Sequence, residues 1–105
     1  MKAVKVQYTV SESYTKKNAE NINQVMADLR KLNNPGIKYS SFLLDDKKSF
    51  VHFVITDEKA NDILSGLGSF KKFQSELKAS QPEVPPKVEH LNLVGSSYDF
   101  FAVAV

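Results

Sequence analysis

The sequence contains no cysteine and no tryptophan, and no apolar run in it approaches the roughly 20 residues needed to cross a bilayer. The missing cysteine excludes disulfides, cysteine nucleophiles and thiolate metal sites, and it fits a cytoplasmic protein. A formal net charge of +2 is too small to argue for nucleic acid, and the lysines are scattered rather than striped. There is no glycine-rich phosphate loop and no aromatic motif of the kind that RNA-binding sheets carry. Neither nucleic acid nor a membrane is therefore expected as a partner. The opening residues, MKAVKVQYTV, hold lysine but no continuous apolar core, so they read as part of the folded domain and not as a signal peptide.

What is present is 105 residues of ordinary apolar and charged content, the length of a single domain spanning 1–105. A chain this short buries a smaller share of its surface than a larger one, so association with a second copy would help it.

Val4, Val6, Tyr8 and Val10 recur at every second residue, with Lys5, Gln7 and Thr9 between them, which predicts a strand with one apolar face. Ser13 or Thr15 can then cap a helix. Over Lys16 to Leu32 the period lengthens, and Ala19, Ile22, Val25, Met26, Leu29 and Leu32 share one helical side. NNPG ends that helix, because Pro35 cannot continue it. IKYSSFLLDD reads as a second strand, DDKK as a polar turn and SFVHFVIT as a third strand antiparallel to the second. Ala60, Ile63, Leu64 and Leu67 form the stripe of a second helix, with a kink or break expected at Gly66 and Gly68. Helical spacing resumes through Phe70, Phe73 and Leu77. QPEVPPK is an extended connection, and VEHLNLVG is the fourth strand. The tail SSYDFFAVAV is apolar for a chain end, so Phe100, Phe101, Val103 and Val105 are expected to dock as an edge strand or on a partner subunit. The order β-α-β-β-α-β predicts an α+β, ferredoxin-like fold with an antiparallel sheet and both helices on one face.

Three stretches carry a resemblance. NNPGIKYSSFLLDD, SFVHFVITDEKA and GLGSFKKFQSEL resemble segments of the dimeric α+β barrel superfamily, in particular its antibiotic-biosynthesis-monooxygenase-like domains. In the third stretch Phe70, Lys71 and Phe73 match the family's Ser-Pro-His-Phe-Lys-x-Phe pattern, while Gly68 and Ser69 replace its proline and histidine. The resemblance implies a homodimer in which two sheets pack face to face around a cavity. Haem-degrading members use an Asn, a Trp and a His, and members that oxidise aromatic polyketides without a cofactor use Asn, Trp and Tyr. This chain has no tryptophan and offers Gln7 on the first strand, so haem degradation is not carried over, and no cofactor is expected.

His52 lies in the middle of SFVHFVIT, where an imidazole is costly to bury without a partner. Strand parity sets Phe50, His52 and Val54 against Val51, Phe53 and Ile55. The second set is expected to face the helices, which turns His52 toward the barrel. His90 and Asn92 are expected beside it on the fourth strand, with Leu91 and Leu93 on the helix side, and Gln7 on the central first strand. Gln7, His52, His90 and Asn92 then converge, with Tyr39 as a further candidate, on a site for a small apolar or aromatic ligand. Two histidines without a carboxylate or a third histidine make an incomplete metal set.

Three functions remain open. One is a binding or structural dimer with a cavity but no chemistry. The second is a cofactor-independent monooxygenase- or isomerase-like enzyme acting on a small aromatic or enolisable substrate. There His52 would be the general base, with Gln7 and Asn92 holding oxyanion charge. The third is a nucleic-acid- or protein-binding module. The first is favoured, since the second would more plausibly show a tryptophan or a fuller acid/base set.

Overall fold

In the computed structural model, which describes residues 1–101, the elements are β1 (Lys2–Thr9), α1 (Thr15–Leu32), β2 (Ile37–Leu43), β3 (Ser49–Thr56), α2 (Asn61–Gly66), α3 (Gly68–Ala79) and β4 (Val84–Leu91). A short 3-10 turn at Glu12–Tyr14 leads into α1. Neither Ser13 nor Thr15 caps that helix; the Thr15 hydroxyl instead donates to the Lys47 carbonyl at 3.0 Å, tying α1 to the β2–β3 turn. The strands pair antiparallel in the order β2-β3-β1-β4. This is the ferredoxin-like α+β arrangement, with its second helix broken in two. Leu67, in extended conformation, makes the break between α2 and α3. Among the described residues no helix is long and apolar enough to cross a membrane.

Register decides which side chains meet the helices, because residues directly opposite each other in an antiparallel pair share a face. Val4 lies opposite Val54, Val6 opposite His52 and Tyr8 opposite Phe50. Tyr8 and Phe50 are in one buried cluster with Ile22 and Val25 of α1 and Phe73 and Leu77 of α3. His52 therefore points at the helices, and Val51, Phe53 and Ile55 point away from them. The expected parity of β3 is corrected. The strand is apolar on both faces, so its own sequence carries no parity signal; only the pairing with β1 supplies one.

The fourth strand begins at Val84, four residues before the expected Val88, and takes in Pro85 and Pro86. Adjacent prolines cannot both turn the missing N–H outward, and the pairing shifts register between Gln7 and Thr9 opposite them, so this edge strand takes the pair at an irregularity in the ladder. In the resulting register His90 lies opposite Val4 and Leu91 opposite Ala3, so Leu91, not His90, is on the face away from the helices.

Among the described residues that far face stays open. Phe42 and Phe53 stack edge-to-face there at 6.2 Å, and they are 55% and 36% exposed. Lys5 and Glu89 form a 3.9 Å ion pair across β1 and β4 beside them. The segment after β4 forms no strand through Phe101. Leu93, Val94 and Tyr98 are exposed, and the Tyr98 ring meets Phe100 edge-on at 4.9 Å. The other two tail residues expected to dock, Val103 and Val105, lie outside the described residues.

Candidate functional site

The buried face of the sheet carries a chain of polar groups. His52 is 2% exposed. Its Nε2 lies 2.8 Å from the Tyr8 hydroxyl, and its Nδ1 lies 2.7 Å from the Tyr39 hydroxyl. Asn18 of α1, wholly buried, donates from Nδ2 to the same Tyr8 oxygen at 2.7 Å. The order Asn18–Tyr8–His52–Tyr39 thus runs from the helix layer across β1 and β3 to β2. The four residues hydrogen-bond in series, which offsets most of the cost of burying them, and leave Asn18 Oδ1 buried without a partner.

Burial sets the electrostatics. Loss of solvent lowers the His52 pKa to about 4, so the imidazole is neutral at pH 7. Burial drives the Tyr8 phenol well above the usual tyrosine range, and the Asn18 hydrogen bond opposes only part of that rise. Tyr39 is raised as well, first by burial and then by Tyr8 nearby. No charge sits in the chain, and each phenol is a weak acid.

The chain ends in a pocket of about 390 Å³ between the sheet and α3. Its floor is Val6, Val54 and His52, and its helix wall is Phe70, Phe73 and Leu77. The mouth is framed by Pro82, Pro85, Pro86 and Val88, with Gln74 and Lys78 at the rim. The Phe73 ring lies 5.5 Å from the imidazole, and the Phe70 ring meets Tyr39 edge-on at 6.4 Å. Apolar walls with a few convergent polar groups are the usual make-up of a small-molecule site. A second hollow, about 610 Å³, lies between α1 and β2. It is wider but shallow and polar, and the hydrogen-bonded chain does not lead into it except through the Tyr39 ring. Among the described residues no group of three or more His, Asp or Glu side chains is placed to hold a metal ion.

Of the residues singled out from sequence, His52 and Tyr39 come together at this pocket. Gln7 lies opposite Val51 and Lys87 on the open face of the sheet, away from His52. His90 is on the same face as His52 but is exposed at the edge strand. Asn92 follows the last residue of β4 and is exposed. The expected four-residue convergence is replaced by Asn18–Tyr8–His52–Tyr39. Asn18 had a signal: it precedes Ile22 by four residues and Val25 by seven, so it stands inside the apolar stripe of α1. Tyr8 was already on the apolar face of β1.

No family model matches the sequence, and no curated protein matches it. Solved structures do match in three dimensions. An antibiotic biosynthesis monooxygenase superposes with a TM-score of 0.71 at 16% identity, over 90% of this chain and 100% of that one. The Mycobacterium tuberculosis protein Rv0793 gives 0.74 at 14% identity, over 92% and 98%. SnoaB of Streptomyces nogalater, a cofactor-independent oxygenase, gives 0.68 at 15% identity, over 93% and 97%. Across nearly its whole length, the chain has the fold of the antibiotic-biosynthesis-monooxygenase-like α+β structures.

Proposed function

We propose that this protein binds a small, flat, largely apolar molecule in the pocket between the sheet and α3, as a homodimer joined through the open sheet face. The observation that carries the reading is the termination of a buried, solvent-free hydrogen-bond chain at an apolar pocket of about 390 Å³. A core that needed only packing would fill that space with side chains, since interiors are close-packed. The dimer is supported by the open face, where Phe42, Phe53 and Leu91 leave apolar surface in water beside Lys5 and Glu89. Apolar patches of that kind mark association sites, and a two-fold pair is the commonest closed assembly.

The test is saturation-transfer NMR with naphthalene-sized aromatic fragments on the wild type and on Val88→Trp. Val88 is 57% exposed at the pocket mouth, so an indole there fills the entrance without disturbing the core. Binding by the wild type and its loss in the variant are expected. Equal binding by both would place the ligand elsewhere.

A second reading, a cofactor-independent enzyme acting on an enolisable substrate, draws on the His52–Tyr39 contact and on the fold shared with SnoaB. Its proton transfer needs the tautomer of His52 with its hydrogen on Nε2: a substrate proton would pass to the Tyr39 oxygen while the Tyr39 proton moves to Nδ1, leaving an enolate and an imidazolium. His52 is poorly suited to keep that proton. Burial disfavours the imidazolium, so a proton taken from a weak carbon acid or phenol moves uphill onto this ring. Binding is therefore the first reading and catalysis the second.

A further inference from the structure

We infer that the pocket selects ligands carrying a hydrogen-bond acceptor, such as a carbonyl oxygen, over ligands that offer only a donor, and that Asn18, remote from the ligand, sets this preference. The inference rests on the pocket reading above and deepens it.

Each hydrogen bond of the chain has a direction fixed by the protons available. Asn18 Nδ2 donates to the Tyr8 oxygen. The other group within reach of Tyr8 is His52 Nε2; if Nε2 donated as well, the buried Tyr8 hydrogen would be left unpaired, so Tyr8 donates to Nε2. A neutral imidazole that accepts at Nε2 carries its single hydrogen at Nδ1. That hydrogen is given to the Tyr39 oxygen, 2.7 Å away. The Tyr39 hydroxyl hydrogen then has no partner in the chain, while Tyr39 lines the pocket. The polarity fixed at Asn18 is thus delivered to the cavity as a free O–H donor.

A ligand that must donate to Tyr39 while Tyr39 donates to His52 either leaves the buried Tyr8 hydrogen unpaired, with Tyr8 accepting from both Nε2 and Asn18, or reverses every bond. Nε2–H would donate to Tyr8, and Tyr8 would donate to an Asn18 oxygen turned into the position of Nδ2. The amide nitrogen would then occupy the place of Oδ1, which is buried and has no hydrogen-bond partner. Both of its N–H groups would be unpaired there, against one carbonyl oxygen and one N–H in the present arrangement. Buried unpaired N–H groups are rarer and costlier than under-satisfied carbonyls. The same polarity places a hydrogen on Nδ1 already, so the chain in this state stabilises a ligand oxygen and does not take a proton from it.

The test uses three bicyclic probes of similar size: α-tetralone, which only accepts; indole, whose N–H only donates; and naphthalene, which does neither. Dissociation constants are read by NMR titration on the wild-type chain, on Asn18→Asp and on Asn18→Leu. For the wild type, α-tetralone is expected to bind about tenfold more tightly than naphthalene and several-fold more tightly than indole. Asn18→Asp places an acceptor against Tyr8 and is expected to reverse the order of α-tetralone and indole. Asn18→Leu removes the bias and should narrow the difference, with naphthalene affinity little changed. Imidazole nitrogen shifts of the wild type, with no probe present, should show a protonated Nδ1 and an unprotonated Nε2. Equal affinity for all three probes, or a protonated Nε2, overturns the inference and leaves the pocket reading standing. Failure of all three to bind overturns both. Should the Asn18 variants not fold, the wild-type affinities and the nitrogen shifts decide alone.

Discussion

Acidification should destabilise this protein earlier than its carboxylates can account for, through His52. In the fold its pKa is about 4, against 6.5 for the solvated side chain. Above pH 6.5 both folded and unfolded chains hold a neutral imidazole, and nothing changes with pH. Between 6.5 and about 4 the unfolded chain takes up a proton that the buried ring refuses, so stability falls as the pH falls. At about 1.4 kcal/mol per pH unit, the loss reaches about 3 kcal/mol near pH 4. That is a large part of the ~5–15 kcal/mol by which small domains are stable. Asp46 acts in a different window. The Ser49 hydroxyl and the backbone N–H groups of Lys48 and Ser49 hold its carboxyl below the ordinary 3.8. Its contribution is intact above 3.8 and is lost only as the pH falls further. The assay is urea denaturation at stepped pH from 7 to 4, on the wild type and on His52→Gln, which cannot titrate but still hydrogen-bonds. The wild-type free energy should fall about 3 kcal/mol more than that of the variant over this range. Parallel curves would refute the burial argument and the neutral imidazole with it.

Other outcomes follow from the same geometry. Tyr39→Phe keeps the ring against Phe70 but removes the hydroxyl between His52 and the pocket. It should cost about 1–2 kcal/mol in chemical denaturation and abolish the preference for a carbonyl ligand over naphthalene in titration. Gly36→Ala puts a methyl against the Asp57 carboxylate, which accepts the Ala60 N–H at 2.8 Å before α2. A loss of about 1–3 kcal/mol is expected, readable as a lower midpoint of thermal unfolding. The double change Phe42→Asp with Phe53→Asp places charge on the open sheet face. Sedimentation velocity should show the wild type as a dimer and the variant as a folded monomer; a monomeric wild type would remove the proposed interface.

Much of the fold was written in local pattern. Tyr8 alternates with Val4, Val6 and Val10, and that face does meet the helices. Ile22 and Val25 share a helical stripe and are buried, and the break foreseen at Gly66 and Gly68 falls at Leu67. The site was only half legible, for physical reasons. Phe50 to Ile55 is apolar on both faces, because the far face of the sheet is apolar at β3 as well; a one-residue choice of parity then inverts every side chain. The prolines of β4 hid its true start, since the rule against proline in strands relaxes at an edge. Leu91 and His90 exchanged faces for a separate reason: both are exposed on this edge strand, so the apolar residue of the pair does not mark the helix side. Asn18 was visible as a polar residue in an apolar stripe, but its partner Tyr8 carries a hydroxyl that periodicity counts only as apolar. The joining of Asn18, Tyr8, His52 and Tyr39 depends on contacts between residues up to 44 positions apart, which no local pattern encodes.

The most direct measurement is a nitrogen–proton correlation map of the labelled wild-type protein titrated with α-tetralone. Saturable shifts should concentrate at Val6, Tyr8, Tyr39, His52, Phe73 and Leu77 around the pocket, with the residues of the open sheet face unmoved. Shifts confined to Phe42, Phe53 and Leu91, or no saturable shifts at all, would contradict a ligand site between the sheet and α3.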